Sequence, residues 1–210
     1  MHRAQFVPLA AALCFATSAH GAITQYSSRA AFDAAAGTLC MEDFNSFAPT
    51  ANAFEGVWYD FGDFSVLNQP TGTFGGDIMG SSTIDGTTAI GGVIRFGGAT
   101  LTFAFDQPIT ALGFDADNLA DQRLDELTFS NGDITTILDP IDQIRFWGFI
   151  SDTPFTTVTF KMIARSDPGN DTSDGFYIDN VSYTCVPQPG TMGLLAASCI
   201  GVRRRRRTGG

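Results

Sequence analysis

The strictest constraint on this chain is a period of two. Thr100-Leu-Thr-Phe-Ala-Phe105 and Thr157-Val-Thr-Phe-Lys-Met162 alternate small or polar residues with large apolar ones. In an extended chain that spacing puts every second side chain on one face, so each run has one side to bury and one to leave in water. A helix cannot satisfy the same pattern. Leu39 to Phe44, Val57 to Leu67, Ile109 to Asp115, Leu127 to Ser130, Ile134 to Leu138, Ile144 to Ile150 and Phe176 to Tyr183 read as further strands. Ser130-Asn-Gly-Asp133 lies between two of these runs and predicts a tight hairpin with positive φ at both central residues. Ser27 to Gly37 is the exception to the β pattern. Its serines offer an N-cap, its alanines favour helix, Gly37 ends it and Phe32 pins it to the core. Residues 72–98 are rich in glycine and read as a long excursion with short strands. Many short strands in one domain imply an all-β fold, a β-sandwich in which two stacked sheets protect their edges, with one short N-terminal helix.

The two ends read differently from the body. Arg3, an apolar run from Phe6 to Ala16 and the small residues up to Ala22 form a secretory signal peptide, cleaved after Gly21 or Ala22. At the other end stand Pro187, Gln188 and Pro189, then an apolar segment, Met192 to Val202, then Arg203, Arg204, Arg205, Arg206 and Arg207. As a helix that apolar segment would span about 16 Å, against a bilayer core of about 30 Å. A transient insertion of a short transmembrane helix, with the arginines held on the cytoplasmic side, fits it better than a permanent anchor. The organisation is therefore a signal peptide over 1–21, a β-sandwich domain over 22–185 and a C-terminal sorting tail over 186–210.

Trimming both ends changes the chemistry available. Six of the 12 basic residues leave with the targeting segments, while all 22 acids stay in the body. Such a body is repelled by nucleic acid and by anionic lipid, and it attracts divalent cations. Both histidines, His2 and His20, fall in the signal peptide, which removes the Ser-His-Asp triad and the usual zinc-hydrolase sites from the body. Of the four cysteines, Cys14 and Cys199 belong to the targeting segments. Cys40 and Cys185 remain, near the first and last strands, and in an exported protein they read as a disulfide.

The tail resembles the PEP-CTERM sorting domain of bacterial exported proteins over roughly residues 186–207. In that family a Pro-Glu-Pro motif, an apolar segment and an arginine cluster are recognised by an exosortase. Here Gln188 replaces the central glutamate. The resemblance implies an exosortase-type membrane protease as partner, removal of the tail, and delivery to the cell surface or an extracellular matrix. The body is similar to exported domains that carry such tails, through Met41-Glu-Asp-Phe44, Gly113-Phe-Asp-Ala-Asp117, Trp147-Gly-Phe-Ile-Ser-Asp152 and Asp174-Gly-Phe-Tyr-Ile-Asp-Asn-Val181. These look like carbohydrate-binding jelly rolls, in which a carboxylate of the first strand meets one of the last. That resemblance implies a structural calcium ion held by Glu42 or Asp43 with Asp179.

Acidic residues also cluster around Asp115, Asp117 and Asp121 and around Asp167, Asp171 and Asp174, but neither group has the glycine and glutamate of an EF-hand loop. Trp58, Tyr59 and Trp147 are the candidate ligand-binding residues, because sugar rings stack their CH faces on flat aromatic rings. A glycoside hydrolase would need two carboxylates about 5–9 Å apart across one cleft, and with 22 acids in the chain their presence in the sequence does not single out a pair. The expectation is a non-enzymatic protein with a structural role in an exopolysaccharide layer, no catalytic residues and no nucleic-acid partner. The alternatives are a lectin-like carbohydrate-binding module and, behind it, a carboxylate-dependent hydrolase.

Overall fold

Two long, bent strands organise the molecule. The computed structural model describes residues 21–47, 56–70, 78–81, 84–94, 99–117, 124–138, 143–162 and 174–185. In chain order the elements are β1 (Ile23–Tyr26), α1 (Arg29–Ala36), β2 (Leu39–Glu42), β3 (Trp58–Asp60), β4 (Phe64–Pro70), β5 (Ile78–Ser81), β6 (Thr88–Ile94), β7 (Ala99–Asp117), β8 (Leu124–Phe129), β9 (Ile134–Leu138), β10 (Arg145–Met162) and β11 (Asp174–Thr184). Residues 1–20 and the sorting motif of Pro187, Gln188, Pro189 and Arg203–Arg207 lie outside the described residues, as do Asp121, Asp167 and Asp171. Among the described residues no helix is long and apolar enough to cross a membrane.

β7 and β10 run antiparallel to each other over nearly their whole length, from Arg145 opposite Ala116 to Met162 opposite Ala99. The sequence suggests two strands in each stretch; each is one strand. The polar breaks at Asp106-Gln-Pro108 and Ser151-Asp-Thr-Pro154 bend the chain without ending it, and the register of the pair shifts between Ile150 and Thr157. The bend turns one hydrogen-bonded sheet into two facing half-sheets. In the first, the C-terminal half of β7 pairs with β11 and the N-terminal half of β10 pairs with β1. β2 and β6 extend this half from β11, and β5 lies beyond β6. In the second, the order is β3, β4, β7, β10, β8, β9.

The core fills the space between the halves. Phe114 of the first half meets Phe160 of the second at a ring-centroid distance of 5.4 Å. Phe64 meets Tyr183 at 5.7 Å, and Phe129 meets Phe149 at 5.9 Å. All six rings are buried, in the offset and edge-on geometries that aromatic quadrupoles favour. The fold is a jelly-roll-like β-sandwich with one short helix. Cys40 of β2 and Cys185, which directly follows β11, form a disulfide that joins positions 145 residues apart.

Local departures from the sequence pattern have local causes. Val57 to Leu67 is two strands, because Gly62 takes φ 96° and the chain turns back between Asp60 and Phe64. The hairpin at Ser130–Asp133 has positive φ at Gly132 alone, with the Asn131 side chain bracing the turn by accepting the Asp133 N–H at 3.0 Å. Ser28 stands at the N-cap of α1, but its side chain makes no capping hydrogen bond. Phe32 is fully buried, yet not in the central core. It packs with Ala111 and Phe146 on the outer face of the first half-sheet, so the helix covers that face.

Candidate functional site

With α1 packed on the outer face of the first half-sheet, the outer face of the second half-sheet carries no helix among the described residues. Its composition follows from the alternation. Leu101, Phe103, Val158, Phe160, Leu127 and Phe129 point into the core, so their neighbours point out. Register then lines up one residue per strand. Trp58 lies opposite Leu67, Leu67 opposite Thr102, Thr102 opposite Thr159, Thr159 opposite Thr128, and Thr128 opposite Ile134. This row crosses six strands, about 24 Å at about 4.8 Å per strand.

The two ends of the row are apolar and exposed, Trp58 at 50% and Ile134 at 62%. Between them come Leu67, 9% exposed, and then three threonines, with the Thr102 and Thr159 hydroxyls 3.1 Å apart. The next row is polar throughout: Gln69, Thr100, Lys161, Glu126 and Thr136 lie opposite one another in turn. Such a surface presents hydroxyl donors and acceptors at even spacing, with a flat indole at one edge. It has the chemistry to hold an extended polyhydroxylated chain by hydrogen bonds and one stacking contact.

The other aromatic candidates are differently placed. Tyr59 follows Trp58 on β3 and points to the opposite side, where its ring packs on Phe61 at 5.2 Å and Phe47 at 6.3 Å. Trp147 lies opposite Phe114 on the inner face of β10 and is 7% exposed. The alternation of Phe146-Trp-Gly-Phe149 buries both faces here, Trp147 and Phe149 in the core and Phe146 under α1. Trp147 is therefore a core residue and has no free ring face for a ligand.

The three candidate metal ligands are not gathered into one cluster. Glu42 lies opposite Val181 on β11, and its Oε1 accepts the Phe44 N–H at 2.7 Å. Asp43 Oδ1 accepts the Asn45 N–H at 3.1 Å, a local turn contact. Asp179 is fully buried, with Oδ1 accepting the Asn180 N–H at 2.7 Å and Oδ2 facing the Thr87 hydroxyl at 3.5 Å. Burial, partly offset by the Asn180 N–H and reinforced by the charges of Asp85 and Asp115, pushes the Asp179 carboxyl up to about 6. Burial also raises Glu42, against the Phe44 N–H and with Asp43 and Asp63 adding to the rise. Among the described residues no three His, Cys, Asp or Glu side chains are close enough together to hold a metal ion.

What surrounds Asp179 instead is a contact between helix and sheet. Asn180 takes φ 51° and inserts an extra residue, so that Asp179 pairs with Asp115 and Ser182 with Gly113. Arg29 of α1 reaches down to this bulge. It donates to Asp115 Oδ2 at 2.8 Å, to Ser182 Oγ at 2.8 Å and to the Asn180 carbonyl at 3.0 Å, with its guanidinium 4.6 Å from the Phe146 ring centre.

No family model and no curated protein matches this chain. Solved structures similar to it include a family 29 carbohydrate-binding module, 15% identical over 65% of this chain and 89% of that one, with a TM-score of 0.37. A point mutant of such a module, studied for ligand recognition, is 14% identical over 70% of this chain and 92% of that one, with a TM-score of 0.39. The enzymatically active domain of tailspike protein 4 from bacteriophage CBA120 is 16% identical over 68% of this chain and 22% of that one, with a TM-score of 0.36.

Proposed function

We propose that this protein is an exported, non-catalytic carbohydrate-binding protein of an extracellular polysaccharide layer, and that the open face of its second half-sheet holds the polysaccharide. The observation that carries this reading is the row from Trp58 through Leu67, Thr102, Thr159 and Thr128 to Ile134, three consecutive threonines flanked by apolar residues with an exposed indole at one edge. The signal-peptide pattern and the Cys40–Cys185 disulfide favour an extracellular setting. The Pro187-Gln188-Pro189 motif with Arg203–Arg207 favours delivery through an exosortase-type membrane protease, which would remove the tail.

The high proportion of acids limits the class of glycan. A body with 22 acids and six bases repels uronate-rich or sulfated chains, so the reading points to a neutral polysaccharide. Two measurements test it together. Intact mass of the protein from its host's surface fraction shows whether both ends are removed, and co-sedimentation with insoluble neutral polysaccharides shows whether it binds. An untrimmed chain that stays in the supernatant would remove the proposal.

A further inference from the structure

In the turn of the β8–β9 hairpin sits a buried carboxylate with one oxygen unanswered. Asp133 is 4% exposed, and its Oδ1 has no hydrogen-bond partner. Its Oδ2 is well served, by Ser151 Oγ at 2.9 Å and Asn131 Nδ2 at 2.9 Å. A buried carboxylate oxygen without a donor gives up its hydration and gets no hydrogen bond in return. Sites of this kind call for an explanation in terms of a missing partner.

The start of the domain passes on the Oδ2 side of this carboxylate and offers a candidate partner. A side chain on Gly21 would lie 3.0 Å from Asp133 Oδ2 and 2.8 Å from Thr153 Oγ1, so the backbone at this point runs directly past the carboxylate. Ala22 is held in place, because its carbonyl accepts the Asp152 N–H at 3.4 Å and Ile23 lies opposite Ser151 at the start of β1. Gly21, Ile23 and Asp133 also line one open depression of about 370 Å³. In the sequence, Ala19 and Gly21 provide the small residues that signal cleavage requires three and one places before the cut.

We propose that cleavage between Gly21 and Ala22 creates the missing partner, an N-terminal ammonium that pairs with Asp133. Hydrolysis of that peptide bond by a membrane signal peptidase consumes one water. It leaves a carboxylate on the departing Gly21 and an amine on Ala22, which takes up a proton. The ammonium brings three donors to the depression that Asp133 lines, where its Oδ1 has none. Removal of the leader thereby locks β1 onto β10 and the hairpin. This inference rests on the export reading, and its test separates the two.

The test compares the chain from Ala22 to Gly210 with the same chain carrying one extra residue, Gly21, each with wild-type Asp133 and with Asp133→Asn. The pairing predicts that the chain starting at Ala22 melts about 2–4 °C higher and that the gain disappears in Asp133→Asn. It also predicts at least tenfold slower acylation of the Ala22 amine near neutral pH than of the amine in the Gly21-extended chain. Pairing raises the amine above its ordinary value of about 7.7–8.0, so the gain is complete below that range and is lost as pH rises through the raised value. Equal melting of the two chains, or a gain that survives Asp133→Asn, overturns the pairing. If Asp133→Asn fails to fold, the acylation rates decide alone. Mass of the exported protein separately reports whether cleavage falls at Gly21, so a different cut would count against the leader assignment and leave the pairing measurement intact.

Discussion

Gly113 and Gly148 lie directly opposite each other on β7 and β10, and together they form the seat for Phe32. A Cβ on Gly148 would stand 2.7 Å from Phe32 Cδ2, and one on Gly113 would stand 2.8 Å from Phe32 Cε1. Neither glycine needs special backbone freedom here; what matters is the absence of a side chain. The notch lets a helix of eight residues lie against the sheet through one aromatic ring and one arginine.

The consequence is a coupled pair of substitutions. Gly148→Ala should destabilise the fold by about 1–3 kcal/mol through overpacking, and Phe32→Ala by about 3–5 kcal/mol through the cavity it leaves. With Phe32 removed, one of the two rings that crowd position 148 is gone and only Phe146, 2.8 Å from the added Cβ, has to give way, so the double variant should be more stable than the sum of the two losses predicts. Urea denaturation of all four proteins measures the coupling, and strict additivity would contradict the seat.

The disulfide closes a long loop and should act mainly on the unfolded chain. Replacing Cys40 and Cys185 together by alanine should lower stability by up to about 5 kcal/mol. Thermal melts of the oxidised, reduced and double-alanine proteins check it. The reduced wild type should fall with the variant, since both lack the same constraint.

Asp179 gives the fold a pH dependence with a definite sign. Its carboxyl is near 3.8 in the unfolded chain and about 6 in the folded one, so the folded state holds the extra proton between those values. Its contribution to stability is therefore fully present below about 4 and lost as pH rises through 6. Asp179→Asn mimics the protonated form. It should be more stable than wild type at pH 7.5 by on the order of 2–3 kcal/mol and indistinguishable from it near pH 4. Melting temperatures across that range supply the test, and a variant less stable than wild type at pH 7.5 contradicts the assignment.

Much of the fold was legible because alternation is a local signal. The inward set of Leu101, Phe103, Val158 and Phe160 follows from the sequence, as do the helix around Phe32 and the Cys40–Cys185 link. Strand continuity was not legible. Asp106-Gln-Pro108 and Ser151-Asp-Thr-Pro154 read as breaks, but long-range pairing carries both strands through them. The open face was half legible. The threonines at 100, 102, 157 and 159 are plainly the polar half of two strands, but which threonine faces which depends on register. Trp147 shows the opposite limit, since nothing in its own run says that a helix covers one side of the sheet while a second half-sheet covers the other.

Trp58 and the threonine row are the proposed seat of a neutral polysaccharide. The most direct measurement is affinity electrophoresis of the protein through gels containing a panel of neutral polysaccharides, with Trp58→Ala and Thr159→Arg run beside wild type. Binding at this row should give retardation on at least one polysaccharide and a loss of at least tenfold in affinity, about 1.4 kcal/mol, for each variant while both stay folded. Retardation unchanged by either substitution, or none on any polysaccharide, would contradict it.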